Sequence, residues 1–95
     1  MSVNRRNPRR DSNEPEIIAA LRAAGASVQS LSAKGCPDLL VGYVNRDGQP
    51  TNALFEIKTA KGKLTPDEAA WHAAWEGQVT VIRSVEEALE AIGRL

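Results

Sequence analysis

The chain has 95 residues, 42% of them hydrophobic and 25% charged, a balance that suits one compact domain burying about 60 to 70% of its unfolded surface and excludes a second. Twelve basic and twelve acidic residues cancel, yet Arg5, Arg6, Arg9 and Arg10 fall within the first ten residues without an acid, leaving eight basic against twelve acidic residues in the body. A single cysteine, Cys36, and a single histidine, His72, exclude an internal disulfide and a multi-cysteine zinc site, and with no nucleophile elbow in the chain a Ser-His-Asp triad is excluded too.

No apolar run approaches the roughly 20 residues of a membrane span, and the Arg-rich start lacks the apolar core of a signal peptide, so a cytoplasmic chain without a membrane partner is expected. Residues 1–12 read as a basic, flexible arm able to touch phosphates, and residues 13–95 as the domain. From Asn13 the spacing of Ile17, Ile18, Leu21 and Ala24 predicts a helix, with Pro15 tolerated in its first turn and Gly25 as its stop. Ala26 to Ser30 has room for a short strand, after which Lys34, Gly35 and Pro37 predict a loop running into Asp38.

Leu39 to Val44 and Ala53 to Lys58 are β-prone runs on either side of Asn45-Arg46-Asp47-Gly48-Gln49, which reads as a hairpin. With Gly48 as the left-handed third residue of a three-residue loop, Asn45 faces Gln49, and counting back sets Val41 opposite Ala53, Leu39 opposite Phe55 and Asp38 opposite Glu56. A two-residue turn would shift that register. Thr65-Pro66-Asp67-Glu68 predicts a capping box opening a second helix, with Trp71 and Trp75 on a buried stripe and an end near Gly77. Val79 to Ile82 reads as a strand, and Ser84-Val85-Glu86-Glu87 as a second capping box whose helix carries Val85, Leu89 and Ile92 on one face before Gly93. The predicted order is helix, three strands, helix, strand, helix: an α/β chain with a mixed sheet, in which the crossover to the last strand is parallel and right-handed.

Alternation along a strand projects Glu56 and Lys58 from one face about 7 Å apart, with Ile57 turned to the core. The predicted register brings Asp38 to the same side as Glu56, at a Cβ separation of about 5 Å. Two carboxylates so close repel unless something positive lies between them, and a divalent cation with hard oxygen ligands satisfies that need. Glu14 lies three, four and seven residues before Ile17, Ile18 and Leu21, on the stripe that packs toward the sheet, whereas Glu16 points to the flank. Glu68, three residues before Trp71 and seven before Trp75, lies on the packed face of its helix, where its carboxylate either caps only, the favoured reading, or also sits near the site; His72 reads as a flanking residue. Lys34, Lys61 and Lys63 sit on loops beside the acids and suit phosphate contacts.

Gly35-Cys36-Pro37-Asp38 followed by Glu56-Ile57-Lys58 resembles the PD-(D/E)xK nuclease signature, split by a hairpin. With Glu14 ahead of Gly25, and Lys63-Leu64-Thr65-Pro66 leading into a helix bearing Trp71, the chain from Asn13 to Ile92 resembles the virus-type replication-repair nuclease family, VRR-NUC, in its small phage and prophage form. Glu68 departs from that pattern, since relatives usually carry glutamine there. The resemblance implies a restriction-endonuclease-like core. It also implies Asp38, Glu56, the Ile57 carbonyl and Glu14 as ligands for Mg²⁺, with Mn²⁺ as a substitute, and Lys58 as the residue that orients or helps deprotonate the attacking water. The implied activity is structure-selective cleavage of branched or junction DNA, Holliday junctions among them, by a homodimer in the cytoplasm of a bacterial host, leaving 5′ phosphate and 3′ hydroxyl ends. A non-catalytic nucleic-acid-binding or assembly module that retains the core is the alternative.

Overall fold

The first helix, α1, spans Glu14–Ala23 in the computed structural model, which describes residues 11–95. Arg5, Arg6, Arg9 and Arg10 of the expected arm lie outside the described residues. Glu14 and Glu16 in the first turn and Arg22 in the last complement the helix dipole, while Ile17 and Leu21 are fully buried. Gly25 ends the helix at φ +97°, letting the Ala26 amide bond the Leu21 carbonyl at 3.0 Å, a closure that favours glycine because a left-handed residue is required.

Four strands follow in a sheet whose spatial order matches the chain: β1 (Ser27–Ser30), β2 (Leu39–Val44), β3 (Pro50–Ile57) and β4 (Thr80–Ile82). The first two pairings are antiparallel and β3 runs parallel to β4, so the sheet is mixed, as expected. The hairpin register is the predicted one, with Leu39 opposite Phe55 and Val41 opposite Ala53. Its turn closes through Asn45 N to Gln49 O and Gly48 N to Asn45 O, both 2.9 Å, with Gly48 at φ +82°. The Asn45 side chain adds a second fastening, its Oδ1 accepting from the amides of Asp47 and Gln49 at 2.9 Å.

Helix α2 (Pro66–Ala74) lies in the crossover from β3 to β4, and α3 (Val85–Ala91) follows β4. Leu39, Val41, Phe55, Ile57 and Ile82 of the sheet form one core with Ile17 and Leu21 of α1 and with Ala88 and Ile92 at α3. Alternation therefore leaves Glu56 facing away from that core, as expected.

The structure corrects three helical expectations. Helix α2 stops at Ala74, and Trp75 is extended at φ −76°, ψ 125°, so the helix does not reach toward Gly77. No α2 residue is buried and Trp75 is 45% exposed, so the buried tryptophan stripe is absent. The rings meet each other instead, with centroids 4.6 Å apart. In α3, Ala88 is fully buried at the centre of the contact, and the Ser84 box is only half formed: Ser84 Oγ accepts from Glu87 N at 3.1 Å, while Glu87 Oε1 takes the Arg83 amide at 2.7 Å.

Candidate active site

Pairing of β2 with β3 carries Asp38, the residue before β2, to the level of Glu56. Asp38 Oδ2 accepts from the Ile57 amide at 2.7 Å, which fixes this carboxylate on the backbone between Glu56 and Lys58. Glu56 is 1% exposed. Burial raises its pKa to about 9, reinforced by the charge of Asp38, a hydrogen bond between the two carboxyls and the charge of Glu68, against the opposing pull of Lys58. The proximity of Asp38 thus favours the uncharged form of Glu56.

Lys58 Nζ lies 2.7 Å from Glu68 Oε1 and 3.9 Å from Glu56 Oε2. Burial works to lower the Lys58 pKa, but the contacts with Glu68 and Glu56 outweigh it and hold the ammonium above its ordinary range. Glu68 shows the reciprocal balance: burial raises its pKa, and the contacts with Lys58 and Thr65 bring it below the usual carboxylate range. The Thr65 box also forms, with Glu68 Oε1 accepting from Thr65 N at 2.9 Å and Thr65 Oγ1 accepting from Glu68 N at 3.2 Å. Glu68 thus both caps the helix and pairs with Lys58, so of its two readings the less favoured, a carboxylate beside the cluster, is the one the structure has.

Glu14 is 4% exposed, on the packed side of α1 as its spacing predicts. Its helix is strapped to the site by the preceding residue: Asn13 Nδ2 donates to the carbonyls of Lys58 and Arg83, each at 3.1 Å. Asp11, Glu14, Ile18 and Arg22 line a groove of about 630 Å³ on this side. Asp11, counted with the arm by the sequence reading, belongs to the same charge field. Burial raises its pKa, Lys58 opposes, Asp38 and Glu68 add to the rise, and a hydrogen bond from the Thr59 backbone opposes.

Beyond Lys58 the chain turns back through residues 59–63. Arg83 Nη1 clamps this loop by donating to the carbonyls of Thr59 and Gly62, both at 2.7 Å, and of Ala60 at 3.4 Å. Lys61 and Lys63 are exposed on it. Lys34, also exposed, pairs loosely with Asp67 at 3.6 Å. The structure thus gathers Asp38, Glu56, Ile57 and Lys58, sets Glu14 on the adjoining helix end, and leaves the three loop lysines exposed.

His72, expected to flank the helix, is also drawn to the cluster. Its Nε2 stands 3.5 Å from Glu56 Oε1, with the side chain 14% exposed, so its assignment as a flanking residue is corrected. The available signal was its place four residues after Glu68, which puts both on one helical face. Among the described residues, no group of three or more His, Cys, Asp and Glu side chains stands arranged to hold a metal ion. No helix among them is long and apolar enough to cross a membrane.

Comparison with protein-family models, with curated proteins and with solved structures returned no match.

Proposed function

We propose that this protein is a metal-dependent, structure-selective DNA endonuclease built on a restriction-endonuclease-like core of the VRR-NUC kind. The observation that carries the reading is the meeting of Asp38, from before the hairpin's first strand, with Glu56 and Lys58, from the end of its second, on one polar side of the β2–β3 pair. The donors fit Mg²⁺: they are hard carboxylate oxygens, and the pairing of β2 with β3 sets the two acids side by side where a cation would remove the repulsion. In this reading Asp38, Glu56 and the Ile57 carbonyl hold the ion, with Glu14 a direct or water-mediated ligand and Mn²⁺ an acceptable substitute. When bound, the ion supplies charge neutralisation at the phosphoryl oxygens and lowers the pKa of water.

The chain's own groups do the rest. Lys58 is kept protonated by Glu68, which suits an ammonium that orients the attacking water and meets developing negative charge, and disfavours its use as a base. Lys34, Lys61 and Lys63, with Arg5, Arg6, Arg9 and Arg10 of the arm, neutralise phosphates and encode no sequence. Selectivity then rests on DNA shape, a branch, flap or junction, and a homodimer sets one site on each of two strands.

A panel of linear, flap and four-way DNA incubated with Mg²⁺ tests the reading. Cleavage of the branched substrates, abolished by chelation, supports it. Binding without metal-dependent nicking would leave the alternative of a non-catalytic binding or assembly module.

A further inference from the structure

We infer that His72 is a positioning residue that holds the Glu56 carboxylate from α2 in the orientation in which it takes a cation. The inference rests on the reading of Glu56 as a metal ligand. Helix α2 buries none of its residues, so apolar packing does little to fix it on the sheet. One face of it reaches β3 through polar side chains: Glu68 meets Lys58 at 2.7 Å, and one turn later His72 meets Glu56 at 3.5 Å. Both contacts end on site residues.

Glu56 is held at both oxygens, Oε1 facing His72 Nε2 at 3.5 Å and Oε2 facing Lys58 Nζ at 3.9 Å. The imidazole is backed in turn by Trp71, whose ring meets it edge-on with centroids 6.1 Å apart at 71°, and Trp71 stacks on Trp75. The ring is therefore braced between an aromatic pair and a nearly inaccessible carboxyl. At 3.5 Å the contact lies at the long end of hydrogen-bond distances. A ligating carboxylate depends on such outer partners, and losing one typically costs about 10- to 100-fold in metal affinity.

Two measurements test the inference. The first titrates the protein with Mn²⁺ and follows the free-ion paramagnetic resonance signal. His72→Ala is expected to bind Mn²⁺ about 10- to 100-fold more weakly than wild type at an unchanged melting temperature, and His72→Gln, whose amide N–H can reach the same oxygen, to recover most of the loss. The second uses metal-free protein. As the only imidazole, His72 should show a slowly exchanging Nε2 proton in ¹H–¹⁵N spectra, lost in Glu56→Ala. Wild-type Mn²⁺ affinity in His72→Ala, a His72→Gln variant as weak as His72→Ala, or a rapidly exchanging Nε2 proton in wild type would each overturn the inference. If wild type bound no Mn²⁺ while its Nε2 proton remained protected by Glu56, the metal reading would fall and the positioning of Glu56 by His72 would stand.

Discussion

Glu56 ionises in the unfolded chain near its ordinary value of 4.5, whereas the folded, metal-free protein keeps it protonated up to about 9. Between those values the folded state binds the extra proton, so stability falls as pH rises through the window. Glu68 acts in the opposite sense, since its lowered pKa supports the fold above its ordinary value and that support is lost on acidification. Thermal melts in chelator from about pH 5 to pH 9 are expected to show a declining melting temperature. Glu56→Gln should flatten the decline, because the neutral amide stands in for the protonated acid, and Mg²⁺ should raise the alkaline end most. A variant with the wild-type slope would assign the effect to other groups. The activity test uses the same cluster: Asp38→Asn and Lys58→Ala should each lower cleavage by orders of magnitude with folding and DNA binding retained, while the exposed Glu16→Gln serves as an active control. Parental turnover in Asp38→Asn would remove the site.

The loop after β3 depends on one side chain from the far end of β4. Arg83 serves three carbonyls of residues 59–62, all of them through the one nitrogen Nη1. Arg83→Ala is expected to cost about 1 to 3 kcal/mol, the scale of lost charged hydrogen bonds. Trypsin should then cut faster after Lys61 and Lys63, and an unchanged cleavage pattern would show that the loop holds its shape without the clamp. Helix α2 depends on its cap for a related reason. With little apolar burial to stabilise it, Thr65→Ala should cost about 1 kcal/mol and loosen Glu68 and His72 together, read as weaker Mn²⁺ binding alongside the lower melting temperature.

Across the whole molecule the charge is split, with four arginines in residues 1–10 and an acidic excess in the rest. Deleting residues 1–10 is expected to weaken DNA binding and flatten its dependence on salt, because each phosphate neutralised contributes to counterion release. An equal salt slope before and after deletion would take the arm out of the interface. Mg²⁺ or Mn²⁺ should support cleavage and Ca²⁺ binding alone, since Ca²⁺ coordinates more loosely and activates water poorly. Apolar side chains at Leu40, Val44 and Trp75 remain exposed, and sedimentation at assay concentrations is expected to show the dimer. A fully active monomer would exclude that arrangement.

Local chemistry and strand periodicity made much of the site legible. The Asn45–Gly48 turn set the hairpin register, the register set Asp38 against Glu56, and the alternation of β3 put Lys58 with them; each step depends on neighbours in sequence or directly across one ladder. The Thr65 box likewise announced the start of α2. What α2 faces was a different matter, because helical spacing tells which residues share a face and says nothing of the distance to the sheet. The same stripe that was expected to bury Trp75 leaves it exposed, and turns Glu68 and His72 onto Lys58 and Glu56. Asn13 reads as an ordinary helix start, yet its side chain bonds carbonyls 45 and 70 residues away. Asp11 shares the field of these acids just ahead of α1, whose start that strap ties to the end of β3. Such placements are fixed by the closing of the β3–β4 crossover and the packing of α1 on the core, and these long-range contacts leave no periodic trace in the chain.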